Sequence, residues 1–321
     1  MNVEDAEKFA EQALKTFQPG TKFNLIPLKS VHKSYDTWVF RCKVKGENKS
    51  YICKLGARDL SGRRKLKNQY EKLIEAQKLL GDVQFSTPVP YAFLEQECAL
   101  FMEDCKGSSL KSLLPRLSNI SEAAPYMEKA GRWIADFQAP TSQATVFDPT
   151  PHLNWLRKKL LKGEQGALII PEKVLFKKHF TQLENLAEKA HGLPSRNCVT
   201  HRDFHLGNLV FKNNGATYGI DFENSKDDTA LRDIISFLFD FVISWDRTHL
   251  DGAAGLNPAP RAFRAGYADT DTADQVFSWF QKFSALKTWS NLGDQSAFSP
   301  NRAHKFQWLQ KFVDDPHILL Q

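Results

Sequence analysis

Residues 200–223 read THRDFHLGNLVFKNNGATYGIDFE, and no other stretch narrows the choice of fold as much. Asp203 and Asn208 are five residues apart, and Asp221 follows Asn208 by thirteen. Two short apolar runs, Leu209-Val210-Phe211 and Tyr218-Gly219-Ile220, flank a polar linker containing Asn214-Gly215. An Asn-Gly step between apolar runs is a strong β-hairpin signal, because both residues accept the positive φ that a tight turn demands. The spacing predicts a loop carrying Asp203 and Asn208, then a hairpin that ends by delivering Asp221.

Those residue types at those intervals suit phosphoryl transfer. A carboxylate must orient the attacking hydroxyl and accept its proton. A second carboxylate and a neutral oxygen ligand must hold Mg²⁺ against nucleotide phosphates. Asp203 fits the base, Asn208 and Asp221 fit the metal, and His201 would brace the loop from within.

The pattern H-x-D-x-x-x-x-N followed by a strand and D-F-x resembles the catalytic signature of the protein-kinase-like fold. The form HRDFHLGN with IDFE is most similar to the aminoglycoside phosphotransferase family of small-molecule kinases, where HGDxHxGN is usual; here position 202 is Arg rather than Gly. The resemblance implies an α+β bilobal fold: a small lobe (residues 1–103) with an antiparallel sheet and one helix, and a larger, mainly helical lobe (104–321). It also implies ATP, with GTP possible, and Mg²⁺ as cofactors.

The chain before residue 200 reads in that order. Residues 2–17 form an amphipathic helix stopped by Pro19-Gly20, and strand patterns follow in FNLIPLKSV, DTWVFRCKV and KSYICKLG. Lys54, in the third strand, matches the family lysine that pairs with nucleotide phosphates; the alternative is an outward residue of an edge strand. Residues 30–36, with Ser34, would form the loop over the phosphates, although glycine is absent from it. The helix at 63–80 should carry a partner for Lys54: Glu71 is nearest to the expected register, Glu75 second, and Gln69 could occupy the place instead. Backbone groups of Glu103, Asp104 and Cys105 would meet the adenine edge by the same resemblance.

Helices are expected at 109–117, 121–138, 154–162 and 174–191, and beyond the hairpin in the apolar run 234–245, at 262–267, 273–291 and 304–313. Asp233 opens the apolar run and matches the aspartate that braces the catalytic loop in the family. Eleven residues separate Asp221 from Asp233, too few for the peptide-docking segment of a protein kinase, so a small hydroxylated substrate is expected. Residues 246–260 read as a loop beside the substrate site. Trp245, Trp279, Trp289 and Trp308 read as core, with stacking on a substrate ring as the alternative.

Composition excludes several classes. The most apolar window, twelve residues long, is too short to cross a membrane. No signal-peptide core is present, and five cysteines in no metal-ligand spacing read as reduced thiols, so a cytoplasmic protein is expected. The basic run Arg157-Lys158-Lys159 reads as a solvated face, and a nucleic-acid partner is not expected. Residues 200–321 hold 12 basic and 15 acidic side chains, a balance of −3 that leans slightly toward a cationic acceptor. An atypical protein kinase and a non-catalytic scaffold on the same fold are the rival readings.

Overall fold

The computed structural model describes residues 3–31, 37–81, 84–249, 258–268, 272–315 and 317–319. Internal packing divides the chain into two units: residues 1–108 with 208–225, and residues 109–207 with 226–321. The sequence places this division at 103/104 and assigns the hairpin to the second lobe.

The first unit is built on a five-stranded antiparallel sheet. Its strands are β1 (Phe23–Val31), β2 (Thr37–Val44), β3 (Ser50–Leu55), β5 (Pro90–Leu94) and β6 (Ala99–Glu103), in the order β1-β2-β3-β6-β5. Period-two alternation buries Trp38, Phe40 and Cys42 of β2 and Tyr51, Cys53 and Leu55 of β3 on one face. Helix α1 (Val3–Phe17) lays Ala6, Ala10, Ala13 and Leu14 on that face to form one core cluster. Lys54, between Cys53 and Leu55, therefore points to the opposite face.

Helix α2 (Leu60–Leu79) starts where Asp59 accepts the Gly62 N–H at 2.6 Å. Its buried stripe is Gly62, Leu66, Gln69, Leu73 and Ala76. The predicted hairpin is present. Strands β10 (Leu209–Phe211) and β11 (Thr217–Gly219) pair Leu209 with Gly219 and Phe211 with Thr217, and Gly215 takes φ +88° in the turn. The hairpin belongs to this unit because β11 pairs in parallel with β4 (Phe85–Ser86).

The second unit is mostly helical. Past the short strand β7 (Ser108–Ser109) come α3 (Leu110–Leu113), α4 (Ile120–Gln138), α5 (Thr150–Glu164) and α6 (Lys173–Ala190); after the hairpin come α7 (Leu231–His249), α8 (Pro258–Tyr267), α9 (Asp274–Trp289) and α10 (Pro300–Asp314). Helices α4 and α8 cross so closely that a Cβ on Gly131 would lie 2.1 Å from the Phe263 carbonyl oxygen. A three-stranded sheet, ordered β12-β9-β8, joins β8 (Gln143–Val146), β9 (Pro194–Thr200) and β12 (Lys226–Thr229). Of the expected loop at 246–260, residues 246–249 continue α7 and 258–260 open α8; 250–257 lie outside the described residues.

All four tryptophans weighed above are core: each is at most 1% exposed. Three donate their indole N–H internally, Trp279 to Leu183 O, Trp289 to Pro171 O and Trp308 to Asp246 Oδ2. Arg157 pairs with Glu184 and Asn154, and Lys159 with Asn291, as expected of a solvated face. All five cysteines are free thiols, and among the described residues no helix is long and apolar enough to cross a membrane.

Candidate active site

Each unit carries one part of the predicted site. In the first unit, Lys54 Nζ lies 3.1 Å from Asp221 Oδ1, and Gln69 Nε2 donates to the same oxygen at 2.8 Å. The Ile220 N–H donates to the Asn208 carbonyl at 2.9 Å, which ties Asn208 to the residue preceding Asp221. Asp221 itself has φ +71°, a left-handed conformation that is uncommon outside glycine and clusters at functional sites. The helix is tied to the same segment, because Asn68 Nδ2 donates to the Glu223 carbonyl at 2.9 Å.

This pairing corrects the expectation for Glu71. Glu71 and Glu75 are exposed on α2, facing Lys67 and Lys72 rather than Lys54. Gln69 holds the inward place because it lies three residues after Leu66 and four before Leu73, on the buried stripe. Two residues along a helix turn a side chain by about 200°, which puts Glu71 on the far side.

The 103–105 segment is held by its side chains. Asp104 is buried and accepts from Ser50 Oγ at 2.7 Å and Arg41 Nη2 at 3.0 Å. Glu103 lies 3.6 Å from Lys212 Nζ. The Glu103 N–H donates to the Val89 carbonyl, which engages it within the fold, and the Asp104 carbonyl accepts from the Lys106 N–H. Burial pushes the Cys105 thiol well above its ordinary range, which leaves it inert as a nucleophile. Ser34 lies outside the described residues.

In the second unit the loop 201–203 is clamped by one buried carboxylate. Asp233, fully buried, accepts from the His201 N–H and the Arg202 N–H, each at 2.7 Å, and from Gln138 Nε2 at 3.1 Å. Tyr267 Oη in turn donates to Gln138 Oε1 at 2.8 Å. Burial pushes the Asp233 carboxyl up to about 6, against the lowering effect of those three donors. The His201 ring is buried against Trp133, Phe137 and Phe204.

Arg202 has φ +63°, the conformation that suits the glycine usual in the resembling motif. Asp203 is partly exposed, with His205 Nε2 3.8 Å from its Oδ1. His205 Nδ1 accepts the Gly207 N–H at 3.0 Å, so the neutral ring carries its proton on Nε2, facing Asp203. Gln138, Tyr267 and His205 are the members that spacing alone did not single out as site residues, and the sequence offers Gln69 only as an alternative to Glu71 and Glu75.

The sequence pattern of the phosphotransferase enzyme family matches residues 36–271. The chain belongs to that family. No curated protein matches this phosphotransferase in sequence. Three solved structures share its fold. A macrolide 2′-phosphotransferase from Brachybacterium faecium is 11% identical with TM-score 0.58, covering 96% of this chain and 98% of its own. An amicoumacin kinase, solved with AMP-PNP and Ca²⁺, is 17% identical with TM-score 0.57, covering 98% and 96%. A choline kinase from Streptococcus pneumoniae is 15% identical with TM-score 0.55, covering 97% and 99%. The fold of this phosphotransferase is the α+β protein-kinase-like fold, with its sheet and helix first and its helical part after.

Proposed function

We propose that this phosphotransferase is a magnesium-dependent kinase that moves the γ-phosphoryl group of ATP to a hydroxyl of a small molecule. The observation that carries the reading is the convergence of Lys54 on Asp221, at the end of the hairpin that begins with Asn208. Asp221 and Asn208 offer a carboxylate and an amide oxygen, hard donors suited to Mg²⁺. Among the described residues no cluster of three His, Cys, Asp or Glu could cage a metal alone. That fits an ion completed by phosphate oxygens and water. Bound Mg²⁺–ATP would supply the transferable phosphoryl group and neutralise its charge.

The chain's own residues do the rest. Lys54 offsets negative charge on the phosphates, and Asn208 and Asp221 fix the metal. Asp203 aligns the acceptor hydroxyl and takes its proton as the oxygen–phosphorus bond forms. The Asp233 clamp holds the backbone amides of His201 and Arg202, so Asp203 is presented from a fixed loop. Asn208 follows Asp203 by five residues, so base and metal ligand share one loop.

The test is a melting-temperature titration with ATP and with GTP, each with and without Mg²⁺, on the wild type and on D221N and D203A. A Mg²⁺-dependent rise is expected with ATP, abolished in D221N and kept in D203A. No rise with either nucleotide at millimolar concentration would overturn the kinase reading. A rise with GTP alone would change the donor and keep the rest.

A further inference from the structure

A cavity of about 390 Å³ opens within the second unit, at the lower end of the size range for small-molecule sites. Four cations line it: Lys111 after α3 begins, Arg232 at the start of α7, Lys287 on α9 and Lys305 on α10. The one carboxylate in the lining, Asp240, already accepts the Leu206 N–H at 3.0 Å. His205 also lines the cavity, and its Nε2 lies 3.8 Å from Asp203 Oδ1, so the cavity adjoins the base.

The cations outnumber the carboxylates beside them: Asp228, ion-paired with Arg232 and 3.8 Å from Arg202, and Asp240 in the lining. Burial, with smaller contributions from Arg232 and Arg202 and against the opposing pull of Asp228, pushes the Lys287 ammonium down to about 8. Arg202 adds its charge there from a left-handed backbone at φ +63° that glycine would adopt without strain. Strain of that kind persists where surroundings fix it, most often at working sites.

From the cavity, its four cations and its contact with His205, we infer that the acceptor is an anion: a hydroxylated small molecule bearing a carboxylate or phosphate group. Its negative end sits among Lys111, Arg232, Lys287 and Lys305, and its hydroxyl reaches toward Asp203. A polycationic acceptor would meet four cations against the single carboxylate of the lining and is disfavoured. The local charge is thus opposite to the −3 balance of residues 200–321, because acidic residues counted in that balance are engaged elsewhere: Asp246 with Trp308, Asp233 with the loop. The inference rests on the kinase reading for the role of Asp203, but the anion site is measurable without it.

The experiment uses one six-carbon polyol with its end group varied: gluconate, sorbitol 6-phosphate, sorbitol and glucamine, with kanamycin as a polycation. Binding is measured by calorimetry with the nucleotide site saturated by Mg²⁺–AMP-PNP, in wild type, K287M and the K111M/K305M pair. At least one anionic probe should bind about tenfold or more tightly than sorbitol, with glucamine and kanamycin weakest. The carboxylate and phosphate arms say which anion is taken. K287M should remove about tenfold of that preference while AMP-PNP binding stays unchanged. Equal binding across the series, tighter binding of glucamine or kanamycin, a preference that survives both variants, or no anion binding at about 10 mM would overturn the inference. Loss of AMP-PNP binding in the wild type would instead count against the kinase reading, and anion binding measured without nucleotide would still decide this one.

Discussion

Asp233 is the residue whose replacement would reveal most about the loop. Its carboxyl lies at about 6 instead of the ordinary 3.8, a difference of about two pK units, or about 3 kcal/mol. Because the folded carboxyl holds its proton more tightly than the unfolded one, this contribution is full below pH 3.8 and declines as pH rises through 6. About 2 of those 3 kcal/mol fall between pH 4.5 and 8. D233N resembles the protonated form and removes that dependence. It also turns an NH₂ toward one of two backbone N–H groups, leaving a buried donor unsatisfied at about 1–3 kcal/mol. At pH 8 the two effects nearly cancel, so global stability should change by less than about 2 kcal/mol while the loop loosens. D233A leaves three donors without an acceptor, about 3–9 kcal/mol, and the loss wins. Urea unfolding at the two pH values, with hydrogen exchange of the His201 and Arg202 amides, reads both effects. Relative to wild type, D233N should gain about 2 kcal/mol on going from pH 4.5 to 8, and both amides should exchange faster. An offset independent of pH, or unchanged exchange at 201 and 202, would refute the reasoning.

Q69E would place a second carboxylate beside Asp221 Oδ1, now 2.8 Å from the Gln69 amide. Metal-free stability should drop by about 2 kcal/mol and recover with Mg²⁺, read by melting temperature; an unchanged melt would remove Gln69 from the pair. K54M should weaken Mg²⁺–ATP binding about tenfold or more without altering the fold, measured by calorimetry and circular dichroism. Burial pushes His152, packed on Phe280 and Phe283, down to about 4, so stability is full above 6.5 and lost as pH falls through 4. H152F should abolish about 2 kcal/mol of that acid sensitivity in unfolding experiments at pH 7 and 4.5. G131A should cost about 3 kcal/mol, because its Cβ would fall 2.1 Å from the Phe263 carbonyl and force α4 from α8.

The strongest sequence signals were local and periodic. Asn214-Gly215 marked the hairpin turn, alternation marked β2 and β3, and the apolar spacing of residues 127–137 marked α4 as a central helix. Signals failed where burial is carried by polar residues. Strand β12, Lys-Asp-Asp-Thr, and strand β9, which starts at Pro194, have no apolar alternation; backbone pairing such as Asp228 with Cys198 makes them strands. Gln69 was legible only as an alternative to Glu71 and Glu75, because a polar residue on the buried stripe interrupts the apolar spacing that marks an inward face. Gln138 and Tyr267 were not legible at all, because they act on Asp233 from elements 95 residues before and 34 after it.

Two of the left-handed non-glycine residues, Arg202 and Asp221, connect these observations. A non-glycine residue in that conformation costs about 1–2 kcal/mol. Each sits where neighbouring hydrogen bonds fix the backbone: the Arg202 N–H is held by Asp233, and the Ile220 N–H, just before Asp221, by the Asn208 carbonyl. At 221 the conformation sets the carboxylate against Lys54, so a side chain is required and glycine would not serve. At 202 no such contact is needed to build the loop, and glycine would fold there with less strain. An arginine at 202 therefore points away from loop architecture and toward its charge, which adds to that of the cations around Lys287.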